Sequence, residues 1–176
     1  SMGNIPAFWG SMIDHPSMVG HPMRTRDGPS YKTHGIPLVM HCDGTATTGL
    51  GKAWSKVADT ISWSSCLAKG VATVGSLASF IIIILQEVML AKVDGVAITE
   101  EAIWREICWS LYWLRLGLWP DRGSDNILYT CGEAFARKLT PLAEGYFAEL
   151  WVMAADLDWN WKKFGLANPN SAGNPC

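Results

Sequence analysis

The sequence has little charge and no surplus of either sign. Charged residues make up 17% of the 176-residue chain, and the formal net charge is −2, whereas about a quarter of the residues are charged in a typical globular domain. A module that holds nucleic acid through its own electrostatic field carries a marked excess of Lys and Arg. The composition therefore argues against such a module, and a DNA partner would need positive charge from elsewhere.

Cysteine pairs with metal-binding spacing are also missing. No C-x-x-C pair occurs among the five cysteines, which lie at positions 42, 66, 108, 131 and 176. The pattern indicates neither a disulfide framework nor a zinc finger and predicts an intracellular, reducing setting. His41 and Cys42 are adjacent, but neighbours in a strand point to opposite faces. This pair therefore predicts a structural role rather than a zinc site.

No apolar run reaches the length of about 20 residues that a transmembrane helix needs. The segment that comes nearest is 70–85, which has sixteen residues without a charge, and Gln86 and Glu87 follow it. Its four consecutive isoleucines favour a strand buried on both faces, although periodicity alone leaves a buried helix as the alternative. We therefore expect core, without a transmembrane span.

Two common catalytic motifs are absent. The glycine-rich stretch 44–53 has Ala46 and Ala53 where a phosphate-binding loop needs Gly and Ser or Thr, which excludes that type of triphosphate site. No serine stands in a G-x-S-x-G context, so hydrolysis by a Ser-His-Asp triad is not expected. Lys52 and Lys56 remain candidate contacts to a phosphate backbone, with solvated loop lysines as the alternative.

The sequence is rich in apolar and aromatic residues. Hydrophobic residues make up 49% of the chain and include ten tryptophans, which is enough for the core of one domain. Residues 1–35 contain scattered Pro and Gly and predict an irregular N-terminal segment. After it, the pattern predicts four strands and one long helix, in the order strand 36–42, strand 57–65, the isoleucine strand ending near residue 90, helix 99–118 and strand 146–155.

An aspartate follows the first and the fourth of these strands. Asp43 comes directly after 36–42, and Asp156 comes directly after 146–155. Two carboxylates at strand ends of one sheet can share a divalent cation. The alternative for Asp43 is a turn formed with Gly44. Asp158 is a third candidate ligand or the N-cap of a following helix.

Three strands, a helix and a fourth strand are the order in which the ribonuclease-H-like fold begins. In that α/β fold the first and fourth strands are adjacent and parallel, and each delivers one aspartate to the same point. We therefore expect strands 36–42 and 146–155 to pair in parallel, with helix 99–118 as the right-handed crossover between the third and the fourth strand.

Several segments resemble the repeat-encoded proteins of dinoflagellate algae, which are in turn similar to the catalytic cores of Plavaka-like DDE-type transposases. The segments are PLVMHCDGTATTGLGKAWSK at 37–56, ICWSLYWLRLGLWP at 107–120, ADLDW at 155–159 and PC at 175–176. The resemblance implies Asp43 and Asp156 as catalytic ligands of Mg²⁺ or Mn²⁺, DNA as substrate and a nuclear location. It also implies that the third carboxylate lies beyond Cys176, so that 36–176 is a partial, truncated domain.

A noncatalytic function is the alternative interpretation of the sequence. The apolar segments 70–91 and 103–119 would also suit a noncatalytic protein that binds a partner or a membrane surface. The sequence predicts that convergence of Asp43 and Asp156 would favour the transposase-like core. An exposed hairpin formed by the two apolar segments would instead favour the binding protein.

Overall fold

Four strands form one mixed sheet in the order β3-β2-β1-β4. The computed structural model describes residues 4–26, 29–48, 56–68, 79–86, 90–155, 159 and 163. The strands are β1 (Gly35–Thr48), β2 (Lys56–Ser65), β3 (Ser79–Gln86) and β4 (Phe147–Ala155). The helices are α1 (Ile5–Met12), α2 (Tyr31–His34), α3 (Ile98–Leu116) and α4 (Gly132–Arg137). The fold class is therefore mixed α/β, as predicted.

The predicted pairing of the first and fourth strands is confirmed. β1 and β4 are parallel neighbours from the pair Gly35 and Phe147 to the pair Cys42 and Ala155, with one irregularity after Leu38. β2 pairs with β1 and with β3 in antiparallel fashion. The helix α3 lies between β3 and β4 in the chain and packs against β4. The handedness of this crossover stays a prediction.

Two predicted strand ends need correction. The first strand does not stop at residue 42, because Asp43 pairs with Thr60 and Gly44 pairs with Asp59, so β1 continues to Thr48. The Asp-Gly pair thus lies inside a strand, and the turn predicted there is wrong. The isoleucine strand ends at Gln86 rather than near residue 90. A tight turn does follow at Val93 to Val96, where the two residues exchange backbone hydrogen bonds.

One side of the sheet carries α3. The central core consists of Met40, Cys42, Ile61, Ile107 and Trp159. The helix contributes Ile107 to this core, and its partly buried side chains Ile103, Trp104 and Leu111 pack against it. The hydroxyl of Thr99 accepts a hydrogen bond from the Ala91 N–H at 3.0 Å. The helix ends at Leu116, two residues before the predicted end, because Gly117 adopts φ 68° and closes the last turn.

The prediction of an irregular segment over 1–35 is wrong for much of its length. α1, α2 and two 3-10 turns at Pro16–Met18 and Pro22–Thr25 order the described part. Their apolar side chains form an N-terminal core consisting of Trp9, Met18, Met23, Tyr31 and Phe147. The indole N–H of Trp9 donates a buried 2.8 Å hydrogen bond to the Gly35 carbonyl. Tertiary contacts, rather than a helical repeat in the sequence, stabilise this segment.

Candidate metal-binding site

Asp43 lies on β1 with its side chain exposed. Met40 and Cys42 belong to the central core beneath α3. Because side chains of a strand alternate between faces, His41 and Asp43 point to the side of the sheet away from α3. This side is called the open face below. The carboxylate of Asp43 is therefore available to a solvent cation or to a polymer that lies across the sheet.

The acidic side chains beneath α3 are already neutralised. Asp59 pairs with Gly44 and so points to the same side as Cys42. The ammonium group of Lys163 lies 2.9 Å from Asp59 Oδ2 and 2.8 Å from Glu100 Oε1. Burial acts to lower the pKa of Lys163, but the two carboxylates outweigh burial and raise that pKa. Asp59 and Glu100 are thus paired with a protein cation.

The described pairing of β1 with β4 ends one residue before the two predicted ligands. Cys42 and Ala155 are its last pair, and Asp43 and Asp156 are the next residues in the sequence. Asp156 itself lies outside the described residues, as do Asp158 and Lys52. Lys56 begins β2 opposite Thr48.

A residue on the open face was not among the predicted ligands. His41 Nε2 lies 3.2 Å from the Ser64 hydroxyl oxygen on β2. The analysis of the sequence compared His41 with Cys42 next to it, and the opposite directions of those two side chains are confirmed. The informative neighbour is Asp43 two positions further on, because residues i and i+2 share a face. That spacing could have been found from the sequence.

Within the described ranges, no group of three or more His, Cys, Asp or Glu side chains could hold a metal ion. On the open face, the described residues His41 and Asp43 supply two possible ligand atoms. Oxygen and nitrogen atoms of this kind bind divalent cations, and a further carboxylate would complete a stronger site.

A second cluster of charges lies at the other end of the sheet. Glu149 on β4 is 8% exposed, and Arg115 Nε lies 3.3 Å from one of its oxygens. His21 Nε2 lies 3.9 Å from the other oxygen. Burial raises the pKa of Glu149, and the nearby groups Arg115, His21 and Arg26 offset this only in part. The cluster ties α3 and the N-terminal segment to β4, which is a structural role.

An apolar groove of about 370 Å³ runs between α3 and the sheet, where Trp63, Ile81 and Leu114 are among the lining residues. Beside it, the edge strand β3 exposes Phe80, Ile81, Ile82 and Ile84 by 42 to 63%. The isoleucine run is thus a strand, so a hairpin of two apolar helices is not formed. In the part of the chain that the structure describes, no helix is long and apolar enough to cross a membrane.

Compared with known proteins, the chain matches no family model, no curated protein and no solved structure. The functional argument therefore depends on the geometry of the described residues and on their chemistry.

Proposed function

We propose that the chain carries part of a ribonuclease-H-like, DDE-transposase-like core that transfers DNA phosphodiesters with Mg²⁺ or Mn²⁺. The observation that supports this proposal best is the parallel pairing of β1 with β4, which runs to Cys42 and Ala155. Asp43 and Asp156 are the residues that follow this pair. Equivalent positions on adjacent parallel strands lie side by side, because the two strands are about 4.8 Å apart.

Among the described side chains, the carboxylate of Asp43 is open to a divalent cation. Its carboxylate is exposed on the open face, and the lysine of the neighbouring acidic cluster is held by Asp59 and Glu100 on the other side. A bound pair of cations would activate the attacking oxygen and stabilise the leaving oxygen of a phosphodiester. The protein holds Asp43 on β1, and pairing with β2 and β4 keeps this strand, and therefore the ligand position, rigid.

The test is a thermal melt of the full chain in increasing Mn²⁺ or Mg²⁺. A cation that binds the folded state at about ten times its Kd adds roughly 1.4 kcal/mol to the free energy of unfolding. Asp43→Asn and Asp156→Asn are each expected to remove most of this gain. Without metal, Asp43→Asn is expected to be as stable as the parent, because the Asp43 side chain is exposed and exposed substitutions usually change stability little.

Asp94→Asn is the matched control. Asp94 lies exposed in the turn after β3 with φ 50°, a conformation that Asn adopts as readily as Asp. It is expected to keep the full cation-dependent gain. An equal gain in the parent and in Asp43→Asn, or no gain in the parent, would contradict the metal-dependent function.

A noncatalytic binding function is the second candidate. It is favoured by the exposed isoleucines of the edge strand β3, since exposed apolar edges are sites where other chains add. An absence of any cation-dependent gain would leave this function as the better supported one.

A further inference from the structure

His41 and Asp43 are placed to act together on the open face of β1. Both side chains are exposed, and residues i and i+2 of a strand lie roughly 7 Å apart. A metal ion with ligand distances of about 2.0 to 2.2 Å can be reached by an imidazole and a carboxylate from such positions. We propose that His41 is a further metal ligand beside Asp43 and makes the site selective for transition-metal dications over Mg²⁺. This inference rests on the proposed metal-dependent function.

Ser64 restrains the imidazole of His41 through a hydrogen bond. The distance of 3.2 Å between His41 Nε2 and the Ser64 hydroxyl oxygen is that of a hydrogen bond. When the ring proton is on Nε2, His41 donates this bond and the lone pair of Nδ1 is free to bind a metal. Histidine ligands commonly donate their other ring N–H to a neighbouring oxygen, which fixes the tautomer. Ser64 is thus a positioning residue.

The neighbouring strands leave room around this pair. β4 places Ala154 beside His41, and β2 places Ser62 and Thr60 beside His41 and Asp43. None of these three side chains carries a charge, and Ala154 is small. A cation at His41 and Asp43 would therefore meet neither a bulky group nor a competing ammonium group from them.

The nitrogen donor determines which metal is preferred. Mg²⁺ takes oxygen ligands and loses its water reluctantly, whereas imidazole suits later first-row metals such as Co²⁺ and Zn²⁺. A site made only of carboxylates would show a weaker preference. The ratio of Co²⁺ to Mg²⁺ affinity therefore reports on His41 separately from Asp43.

The experiment titrates the full chain with Co²⁺, followed by its visible absorption, and with Mg²⁺, followed by the melting temperature. Thiols also bind Co²⁺, so the background carries serine at the exposed Cys108 and Cys131 and at Cys176. The variants are His41→Gln, Ser64→Ala, Asp43→Asn and Asp156→Asn. His15→Gln is the control, because His15 is an exposed histidine of the N-terminal segment.

His41→Gln is expected to weaken Co²⁺ binding by about tenfold or more, the range for disturbed histidine ligation, and to leave the Mg²⁺ effect within about twofold. Ser64→Ala should weaken Co²⁺ binding less, without a change of the metal-free melting temperature. Unchanged Co²⁺ affinity in His41→Gln, with binding lost in Asp43→Asn, would overturn this inference and leave the proposed function. Co²⁺ binding that needs His41 and Asp43 but not Asp156 would support the inference and count against the two-aspartate core.

Discussion

The two ends of β1 have opposite surroundings. At the amino end, Gly35 is buried beneath Trp9 and beside Phe147, and Pro37 is fully buried. Towards the carboxyl end, His41 and Asp43 are exposed. One strand therefore has an end that is enclosed by the fold and an end that presents polar groups to solvent. The enclosed end fixes the strand in place, and the open end is where a rigid site can meet a ligand.

The close packing at the amino end is visible around Gly35. A Cβ at this position would lie 2.8 Å from the Tyr31 carbonyl oxygen and 3.1 Å from the Phe147 ring. Both contacts are shorter than ordinary van der Waals separations between such atoms. The N-terminal segment thus approaches β1 as closely as its backbone allows, and the glycine permits that approach.

The largest effect is expected from removing the indole at the amino end. Trp9 is 0% exposed and its N–H is bonded to Gly35, so Trp9→Ala loses packing and leaves a buried carbonyl unpaired. We expect a loss of about 3 to 5 kcal/mol in the free energy of unfolding, the range for large aromatic residues in a core. Urea unfolding followed by tryptophan fluorescence measures it.

The matched control is Trp119→Ala. Trp119 is 37% exposed and its ring faces the guanidinium of Arg137 at 5.2 Å, a contact worth about 0.5 to 1 kcal/mol at exposed sites. Its loss should be less than half that of Trp9→Ala. Equal losses in the two variants would mean that the N-terminal segment does not close the amino end of β1.

The parallel pairing of β1 with β4 could be predicted from the sequence, but the closure of the amino end could not. The order of three strands, a helix and a fourth strand indicated that the first and fourth strands are neighbours in one sheet. In contrast, α1 has only eight residues. Asn4 and Pro6 favour a helix start there, but the helix is too short for a helical repeat of apolar residues to be visible. Its order comes from Trp9, whose partner Gly35 is 26 residues away, a separation that local sequence patterns do not reveal.

The candidate site was predicted only in part for a related reason. Asp43 was singled out because it ends an apolar run, yet Asp-Gly also indicated a turn, and only the pairing with Thr60 decides for a strand. The hydrogen bond of His41 could not be predicted, because its partner Ser64 is 23 residues away. The register between β1 and β2 brings the two together, and register depends on the whole sheet.

A smaller effect, which depends on pH, is expected at the enclosed end. The pKa of Glu149 is raised in the folded protein, chiefly by burial. The stabilisation from its protonated form is therefore complete below the ordinary pKa of a Glu side chain and is lost as the pH rises through the raised value. In the variant Glu149→Gln, the side chain at position 149 is uncharged at every pH, so this loss of stability does not occur. We expect the variant to gain stability relative to the parent as the pH rises above the ordinary pKa of a Glu side chain.

Urea unfolding of both proteins at several pH values measures the difference. Glu144→Gln serves as the control, because Glu144 is exposed and should follow the parent at every pH. A difference between Glu149→Gln and the parent that stays constant with pH would show that Arg115 and His21 fully compensate the buried charge.

The smallest effect on stability is expected from a substitution at position 41 of β1, which lies on the opposite face from Cys42. Burial, with a contribution from Asp59, raises the pKa of the Cys42 thiol to about 11, so that at pH 8 only roughly one thiol in a thousand is ionised. His41→Cys would place a second thiol next to it on the open face. We expect a disulfide reagent at pH 8 to label this new thiol rapidly and Cys42 only on unfolding. Mass spectrometry of peptides separates these two thiols from the exposed Cys108 and Cys131. Equal labelling rates at positions 41 and 42 in the folded protein would contradict the alternation of faces on which the metal site depends.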